Sequence, residues 1–466
     1  MNAPLIWIGI PLILAILLWL PSRTKVTAFL GGISALFLAA SAWFIPIDTA
    51  IRISDALSLK IAVSIDILGR QISITPADKP LLALLYGMAA IWFFGSSAAG
   101  IARRLVPLGM GILALFIASL SVKPFLYAAL IIETAILIAI PLLSPPEKKP
   151  GRGVIRFLIY QTLAMPFILF AGWLLAGVES SPGDIELLTQ AATLLALGFA
   201  FLLAIFPLYT WIPILMEEAS PYAVGFILWL LPSVALLFAL GFLDRYAWLR
   251  NFAQLPAALR FAGLLMVGTA GVWAAFERHL GRIMGYAAIV NTGFSLLALS
   301  LLHDSQLSAF FLLMVPQGLG LAIWSLSLSI LKLREGSLNF KKIQGMIQQY
   351  PIIISGVLVA HFSAIGLPLL AGFPPILALF EGLAKEGLFT ASWAALGIVG
   401  LLTSAFRTLA VVVMSPKDST WEMRGSWLQN ILIGIGIVLI LLLGVFPHLI
   451  YPILVNLPAT FEHLSG

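Results

Sequence analysis

Glu133 is an ionisable residue inside a long apolar stretch, where a charge is costly and a proton-binding group is conspicuous. The letters "YAALII" precede it and "TAILIAI" follow it. A carboxylate in the hydrocarbon core of a membrane is expensive, and such residues mark proton or ion paths. The pattern therefore predicts a proton site. The alternative is a protonated glutamate that hydrogen-bonds a neighbouring helix and serves packing.

Two further ionisable residues lie in apolar stretches. His361, in "VLVAHFSAI", has an unperturbed pKa that suits a proton shuttle, although a single membrane histidine can equally be a packing residue. Arg407, in "TSAFRTLAVV", either belongs to a proton pathway or extends its charged end to the membrane boundary. Glu381 is a shallow acid or an interface charge.

Neutral polar residues in the same apolar runs could line a hydrated path or join helices by hydrogen bonds. The candidates are Tyr160, Gln161, Tyr209, Asn291, Thr292 and Gln317. Two adjacent acids, Glu217 and Glu218, either cap the helix that starts near Pro221 or bind a neighbouring subunit, and capping is the simpler interpretation.

The composition places these residues in a membrane protein. The chain has 466 residues, 61% of them hydrophobic and 10% charged, with a mean hydropathy of +1.07. Apolar stretches of about 20 residues are read as transmembrane helices. The sequence has no cysteine, which excludes disulfides and thiolate metal sites. It also has no strand–glycine-rich loop–helix unit and no Walker motif, so we expect no nucleotide, flavin or iron–sulfur cluster in this chain.

Hydropathy predicts an all-α polytopic protein with about fourteen spans. They cover approximately 4–20, 27–45, 80–100, 104–121, 124–143, 154–177, 187–207, 222–241, 258–277, 283–302, 308–331, 351–380, 387–413 and 427–447. Between the second and third spans, "AIRISDALSLKIAVSIDILGRQISITPADK" alternates in the manner of short strands. We expect an extramembrane hairpin there.

Two spans contain prolines that should interrupt a helix, because each proline removes a backbone hydrogen bond that lipid cannot replace. The seventh span carries Pro207 and Pro213, and the twelfth carries Pro368, Pro374 and Pro375. Interrupted helices at corresponding positions indicate an inverted-repeat transporter. We therefore predict two inverted five-helix repeats, at 104–241 and 258–413, with N-terminal helices and the hairpin in 1–103 and a C-terminal helix in 427–466.

The loop charges predict the orientation of the chain in the membrane. Most of the 26 lysine and arginine residues fall on the side reached after the first span, among them Arg103, Arg104, Lys341 and Lys342. Positive loops stay in the cytoplasm. Both termini are therefore expected to face away from the cytoplasm, and a bacterial inner membrane is the expected location.

Several segments resemble the antiporter-like membrane subunits of complex I (proton-pumping NADH:quinone oxidoreductase), Mrp antiporters and membrane-bound hydrogenases. "FPLYTWIPILMEEASP" resembles the segment P-x-H-x-W-x-P-x-A-x-x-x-A-P-x-P of that family, and "SAIGLPLLAGFPPILALF" resembles its S-L-A-G-I-P-P-x-A-G-F. "RIMGYAAIVNTGFSLLALSL" is similar to K-R-x-x-A-Y-S-S-I-x-x-x-G, and "FLYAALIIETAILIAIPLL" to the helix with the family's membrane glutamate. The segments occur in the expected order between about 100 and 450.

The resemblance implies that Glu133 is the glutamate of the fifth span, which in the family pairs with a lysine of the seventh. Separating such a pair lowers the lysine pKa and moves a proton. The lysines of the seventh, eighth and twelfth spans correspond here to Leu202, Ser233 and Ile376, and the histidine of P-x-H-x-W corresponds to Tyr209. This chain therefore lacks the glutamate–lysine pair that moves a proton in the family.

Three functions stay open on this basis. The first is a membrane-arm subunit that helps to translocate protons in a complex I-like assembly, where partner subunits hold the NADH or other donor, quinone, flavin and Fe–S clusters. The second is a degenerate, non-conducting structural subunit of the same assembly. The third is an Mrp-type cation/proton antiporter subunit. In each case the partners are membrane subunits and lipids, no nucleic acid is expected, and the chain has no redox active site of its own.

Overall fold

The computed structural model describes residues 2–54, 57–67, 69–144, 149–180, 184–301, 307–414, 424–454, 456–461 and 463–464. Helices dominate because a segment in hydrocarbon must satisfy its own backbone hydrogen bonds. The helices of the first half are α1 (Ile10–Leu17, preceded by a π-helical turn over Leu5–Gly9), α2 (Thr24–Phe44), α3 (Lys79–Gly95), α4 (Ala102–Ser121), α5 (Ala128–Leu143), α6 (Arg152–Ser180), α7 (Ile185–Leu202), α8 (Trp211–Glu218) and α9 (Pro221–Arg245).

The second half of the chain is also helical. Its helices are α10 (Ala247–Arg250), α11 (Leu255–Phe276), α12 (Leu280–Leu299), α13 (Leu307–Glu335), α14 (Phe340–Ile343), α15 (Pro351–Ile365), α16 (Phe373–Glu386), α17 (Leu388–Val413), α18 (Trp427–Val445) and α19 (Tyr451–Leu454).

Twelve helices of the described chain are long and apolar enough to cross a membrane. Two shorter apolar helices, Leu5–Leu17 and Pro351–Ile365, coincide with the first and twelfth predicted spans. The prediction of an all-α polytopic membrane protein with about fourteen spans is therefore confirmed. The inverted relation of the two five-helix units and the domain boundaries stay predictions.

The seventh span is interrupted. Helix α7 ends at Leu202, Ala204 adopts a left-handed backbone (φ +52°), and a 3₁₀ turn over Leu208–Thr210 leads into α8. Pro207 lies in this break, whereas Pro213 lies in the first turn of α8, where its fixed φ is tolerated.

The twelfth span is interrupted in a similar way. Helix α15 ends at Ile365, both Gly366 (φ +82°) and Leu369 (φ +70°) are left-handed, and α16 starts at Phe373. Pro368 falls inside the break, and Pro374 and Pro375 form the start of α16. The Gly372 N–H donates to Ser363 Oγ (3.2 Å), which joins the two half-helices.

Strands occupy the connection between α2 and α3, but as two hairpins where one was predicted. β1 (Ala50–Ser54) pairs with β2 (Leu57–Lys60), and β3 (Ser64–Ile67) pairs with β4 (Arg70–Ser73), both antiparallel. A short β5 (Val122–Lys123) after α4 then pairs with β4. The second hairpin is thereby fixed to the end of a transmembrane helix.

The helices divide into central and peripheral ones. The most apolar window of α12 is 94% buried inside the protein, whereas that of α7 is only 22% buried. Helices α9 and α13 are also largely buried, and they pack around α12. The centre of the bundle therefore brings together one helix of the first predicted repeat and two of the second.

Candidate functional site

Glu133 lies near the middle of the apolar segment Phe125–Leu143, on the outward side of α5. Its helix neighbours Leu130 and Leu137 are 48% and 51% exposed. The half-buried Glu133 accepts a hydrogen bond at Oε1 from Thr162 Oγ1 of α6 (2.8 Å), and Thr162 is itself exposed. Its Oε2 atom is buried and has no hydrogen-bond partner within the described chain. The carboxyl group therefore lies at the contact of α5 and α6 near the outer surface of the bundle, with Oε1 bonded to Thr162 and Oε2 enclosed without a partner in the described chain.

The lysine expected to pair with this glutamate is replaced by Leu202, which is 1% exposed at the end of α7. The neighbouring polar contact comes from Gln161 of α6, whose Nε2 donates to the Phe201 carbonyl (3.3 Å). The Gln161 Oε1 is buried and unpartnered, and Tyr160 packs its ring near Phe201 at 6.2 Å between centroids. These groups hold the end of α7 without a charge.

Tyr209 occupies the family's histidine position in the first break. Its hydroxyl donates to Thr269 Oγ1 of α11 (2.9 Å), and Thr269 in turn donates to the Leu265 carbonyl. The tyrosine is 4% exposed. It therefore links the broken span of the first half to the first span of the second half.

Asn291 of α12 and Gln317 of α13, both predicted as lining residues, lie together in the centre of the bundle. Gln317 Nε2 donates to the Asn291 carbonyl (3.0 Å), and Ser295 Oγ lies 3.4 Å from Gln317 Oε1. Thr292, on the same helix, donates to the Ala288 carbonyl (3.2 Å). This neutral group joins the two most central helices of the second half.

Two small cavities adjoin this pair, each of about 20 Å³. Cavity A extends toward the second break and is lined by Trp324, Ser363 and Ile376 together with Asn291 and Gln317. A volume above about 10–15 Å³ holds one water molecule when polar groups surround it. Cavity A therefore has room for about one water.

Cavity B lies on the other side of the same pair, where Ser233 and Trp229 of α9 line it with Asn291 and Gln317. Ser233 donates to the Trp229 carbonyl (2.7 Å), and the Trp229 and Trp324 indole N–H groups are buried without a partner in the described structure. Ser233 and Ile376, two of the positions at which the resemblance implies lysines, thus line cavities B and A. The arrangement is a chain of neutral donors and acceptors with space for single waters.

His361 of α15 is fully buried behind cavity A. Its ring stacks on Trp324 at 4.4 Å between centroids, and Nε2 lies 3.0 Å from Ser404 Oγ of α17. Ser404 donates its hydroxyl hydrogen to the Leu401 carbonyl (2.7 Å), so Nε2 is the donor and Nδ1 is left as an acceptor. Nδ1 is buried and unpaired within the described residues.

Arg407 lies on α17, three residues after Ser404, and contacts α11 and α14. Its guanidinium donates to the Ala275 carbonyl near the C-terminal end of α11, and it lies 5.7 Å from the centroid of the Phe340 ring. A cation that binds the last carbonyls of a helix stabilises that end. Arg407 therefore binds the C-terminal end of α11, one turn along α17 from Ser404, the partner of His361.

A cluster of charges lies at the ends of α8, α12 and α13, and of its members the sequence singled out only Glu217, as a candidate for helix capping or subunit binding. Arg282 contacts Glu277 (3.4 Å) and Glu217 (3.8 Å), and Lys332 Nζ donates to the Glu217 carbonyl (2.6 Å). His279 precedes α12 and accepts the Arg282 backbone N–H (3.3 Å). Burial lowers the pKa of His279 to about 4, so the ring is neutral at physiological pH. The run "SILKLRE" marks Lys332 in the sequence, because it places a charge before the apolar run has ended.

Glu218 caps a different helix from the one expected. Its carboxylate accepts the Gly153 N–H (2.8 Å) at the start of α6, and Ser220 makes no side-chain cap on α9. The expectation that the acids cap the following helix was therefore wrong, because the fold places the start of α6 beside α8.

Glu381 is exposed.

Comparison with known proteins identifies similar chains. The profile of the family described as NADH:quinone oxidoreductase/Mrp antiporter, TM, matches residues 152–406, which is more than half of the chain. NADH-quinone oxidoreductase subunit 14 of Thermus thermophilus is 27% identical over 393 residues, which cover 80% of this chain and 84% of that protein. NAD(P)H-quinone oxidoreductase chain 4 1 of Synechococcus elongatus is 31% identical over 281 residues, 55% of this chain and 48% of that protein. The match thus spans about half the length of the cyanobacterial relative.

A solved structure has the same fold. A chain of respiratory complex I from Thermus thermophilus with bound NADH superimposes with a TM-score of 0.79 and 20% identity, covering 99% of this chain and 100% of that one. At this identity the likeness shows a shared architecture over the whole length.

Proposed function

The chain belongs to the NADH:quinone oxidoreductase/Mrp antiporter transmembrane family, and from that premise we propose that it is a membrane-arm subunit of a complex I-like respiratory complex and helps to translocate protons. Its relative of similar length is named a subunit of NADH-quinone oxidoreductase. In such an assembly the electron donor, flavin, Fe–S clusters and quinone belong to partner subunits. This chain contributes the movement of protons and the contacts to neighbouring membrane subunits.

The observation that carries the proposal is the position of Glu133. A carboxylate at the outer surface of a transmembrane bundle, with one oxygen unpartnered in the described chain, is unfavourable against lipid. A neighbouring membrane subunit that covers α5 and α6 would lower this cost, because it would exclude lipid from the partly exposed Glu133 and the exposed Thr162 and would bring a lysine, an arginine or a hydrogen-bond donor to Oε1. Glu133 then exchanges its proton across the boundary between two subunits, in place of the missing exchange with a lysine at position 202.

Inside the chain, a proton path can use neutral groups and single waters. Asn291 and Gln317 lie between the two cavities, and the unpaired Nδ1 of His361 lies beyond cavity A. Hydroxyl, amide and imidazole groups can each accept or donate a hydrogen bond to a water. We propose this sequence, from Ser233 of α9 through Gln317 to His361, as a path that leads from the last helix of the first predicted repeat into the second half.

A second candidate function is structural, and the apolar residues at two lysine positions favour it. Leu202 and Ile376 are 1% and 7% exposed and pack into the core. A subunit with these residues keeps the fold and the interfaces without a lysine switch. An Mrp-type antiporter subunit is the third candidate, since the family includes both kinds of protein.

Proton flux in vesicles that contain the purified assembly tests the proposal. Glu133→Gln keeps the size and the bond to Thr162 but cannot release a proton, so pumping per electron should fall while the assembly stays intact. Glu186→Gln, a matched change at an exposed acid in the first turn of α7, should leave pumping unchanged. An unchanged stoichiometry in Glu133→Gln, at equal assembly, would sink the transport function and leave the structural one.

We further propose that the protein resides in a bacterial inner membrane with both termini on the non-cytoplasmic side. The twelve apolar helices support integration in a membrane, and the clustering of lysines and arginines supports the direction of insertion.

A further inference from the structure

A large cavity opens at the basic side of the bundle, where four transmembrane helices end. It has a volume of about 430 Å³ and lies among the starts of α4 and α9 and the ends of α5 and α13. This basic-side cavity is separate from cavities A and B and from Glu133. Its position at the boundary between the apolar spans and the charged loops is the level at which phospholipid headgroups lie.

Three cations line the basic-side cavity, which are Arg103, Arg104 and Lys332. Arg104 donates to the Ser144 carbonyl (3.2 Å), and Lys332 donates to the Ala219 carbonyl (2.8 Å) as well as to that of Glu217. A guanidinium has five N–H donors and an ammonium has three. Both side chains are therefore held in place by the protein while they keep donors for a ligand.

The balance of charges among the described lining residues favours an anion, because three cations face a single carboxylate. Glu218 is the one carboxylate among the described lining residues, and the Gly153 N–H already binds it. Helices α4 and α9 both begin at the cavity; the N-terminus of α4 has no side-chain cap, whereas at the start of α9 the Tyr222 N–H already donates to Ser329 Oγ (2.9 Å). The positive ends of their dipoles add to the three cations.

The residues that line the cavity determine which class of anion it can bind. Leu142, Leu143 and Leu333 contribute to its apolar lining; Leu142 and Leu143 are nearly fully buried, whereas Leu333 is 64% exposed at the rim. A soluble anion would leave the exposed part of this apolar lining in water, whereas a phospholipid covers it with the upper parts of its acyl chains. We propose that the basic-side cavity binds an anionic phospholipid, with the phosphate held by Arg103, Arg104 and Lys332 and the acyl chains against the leucines.

Spin-labelled lipids test this in the full chain reconstituted into vesicles of equal parts phosphatidylglycerol and phosphatidylcholine. Electron spin resonance reports the motionally restricted fraction of each labelled lipid, and thus the preference for phosphatidylglycerol. Each charge removed from the site should lower that preference about fivefold for the bound lipid, since a basic residue near a membrane contributes about 1 kcal/mol. The variant is Arg103→Gln with Arg104→Gln, and its control is Lys341→Gln with Lys342→Gln, two exposed charges predicted on the same side.

Two further arms make the result decisive. Leu333→Glu adds an acid at the exposed rim and should lower the preference without disturbing the core, so a folding defect of the arginine variant does not hide the answer. Added inorganic phosphate should not displace the labelled lipid. The proposal is overturned by an equal loss in the Lys341 and Lys342 control, by an unchanged preference in both site variants, or by displacement with inorganic phosphate.

Discussion

At the scale of single residues, the interior of this protein replaces charge with neutral polarity. The resemblance to the family implies lysines at three positions that are neutral in this chain. Ser233 and Ile376 line cavities, and Leu202 is packed in the core. A buried lysine is costly and must be compensated by a carboxylate or by water. Without lysines the centre needs no such compensation, and Gln317 and Asn291 provide the polar contact between helices.

Gln317→Leu should reduce proton flux if the path runs between cavities A and B. The leucine has a similar volume but removes the bond to the Asn291 carbonyl and the contact with Ser295, each worth about 1 kcal/mol. We expect a small drop in the melting temperature and a larger loss of pumping, measured on the same vesicle preparation. Ser325→Ala on the same helix is the control, because that hydroxyl bonds the Ala322 carbonyl of its own turn (3.2 Å). Full pumping in Gln317→Leu would exclude this path.

Titration of His279 should make the stability of the folded protein depend on pH. Burial lowers its pKa from 6.5 to about 4, the Glu217 carboxylate opposes this shift, and Lys332 and Arg282 add to it. The unfolded chain therefore binds a proton below about pH 6.5 that the folded chain does not bind until about pH 4. The contribution of His279 to the stability of the folded state is fully present above about pH 6.5 and decreases as the pH falls toward 4.

The variant His279→Asn separates this titration from the others. Asparagine keeps an acceptor for the Arg282 N–H at the start of α12 but does not titrate. Thermal unfolding of the purified chain at several pH values should show a shallower decrease between pH 6.5 and 4 than in the wild type. Identical slopes would show that other groups cause the dependence.

At the scale of elements, α11 and α17 make a close contact through glycines. A Cβ on Gly400 would lie 2.2 Å from the Gly271 carbonyl oxygen, and one on Gly397 would lie 2.3 Å from that of Val267. Glycines of this kind let membrane helices approach until their backbones touch. This contact holds the first and last spans of the predicted second repeat together.

Gly400→Ala should therefore destabilise the protein by about 1–3 kcal/mol, because the obstacle is backbone and cannot rotate away. Gly434→Ala on α18 is the matched control. A Cβ there meets no atom within 4 Å, and alanine is the better helix former, so that variant should be neutral or slightly more stable. Midpoints of thermal unfolding in one detergent compare the two, and equal midpoints would mean that α11 and α17 separate easily.

The helices could be predicted from the sequence, but not which side of each helix faces the interior of the bundle. Span lengths follow from hydropathy, and the prolines mark the interrupted spans. The chain changes direction, however, near Ala204 and Leu369, two residues whose types do not favour a left-handed backbone. Pro213, Pro374 and Pro375 instead begin helices, because proline suits a first turn.

The site was predictable only in part for a similar reason. Glu133 was evident as a charge in an apolar run, but α5 is apolar on all sides, so its pattern cannot tell an inward from an outward glutamate. Asn291 and Gln317 are separated by 26 residues and meet only because α12 and α13 pack together. Tertiary contacts of this kind leave no periodic signal in the sequence.

At the scale of the whole molecule, the described helices form a bundle with a neutral polar centre, a carboxylate on one flank and basic residues at one end. Loop charges predict that this basic end faces the cytoplasm. The two hairpins formed by β1 to β4 then lie on the opposite side, together with both termini.

The orientation can be measured directly, because the sequence has no cysteine and any introduced thiol is unique. Lys60→Cys on β2 should react with a membrane-impermeant maleimide in intact spheroplasts, whereas Lys341→Cys on α14 should react only after permeabilisation. Both side chains are exposed, so accessibility to the reagent depends on the side of the membrane. The reverse pattern would invert the predicted orientation.

The outward position of Glu133 has a consequence for how the cell makes this protein. A copy that has entered the membrane but has not met its neighbours keeps a partly exposed glutamate beside lipid midway along α5, and that cost falls when another chain covers it. The same feature that serves the assembled complex thus distinguishes incorporated copies from surplus ones. Synthesis in excess of its partners would leave orphan copies that membrane proteases can recognise and remove.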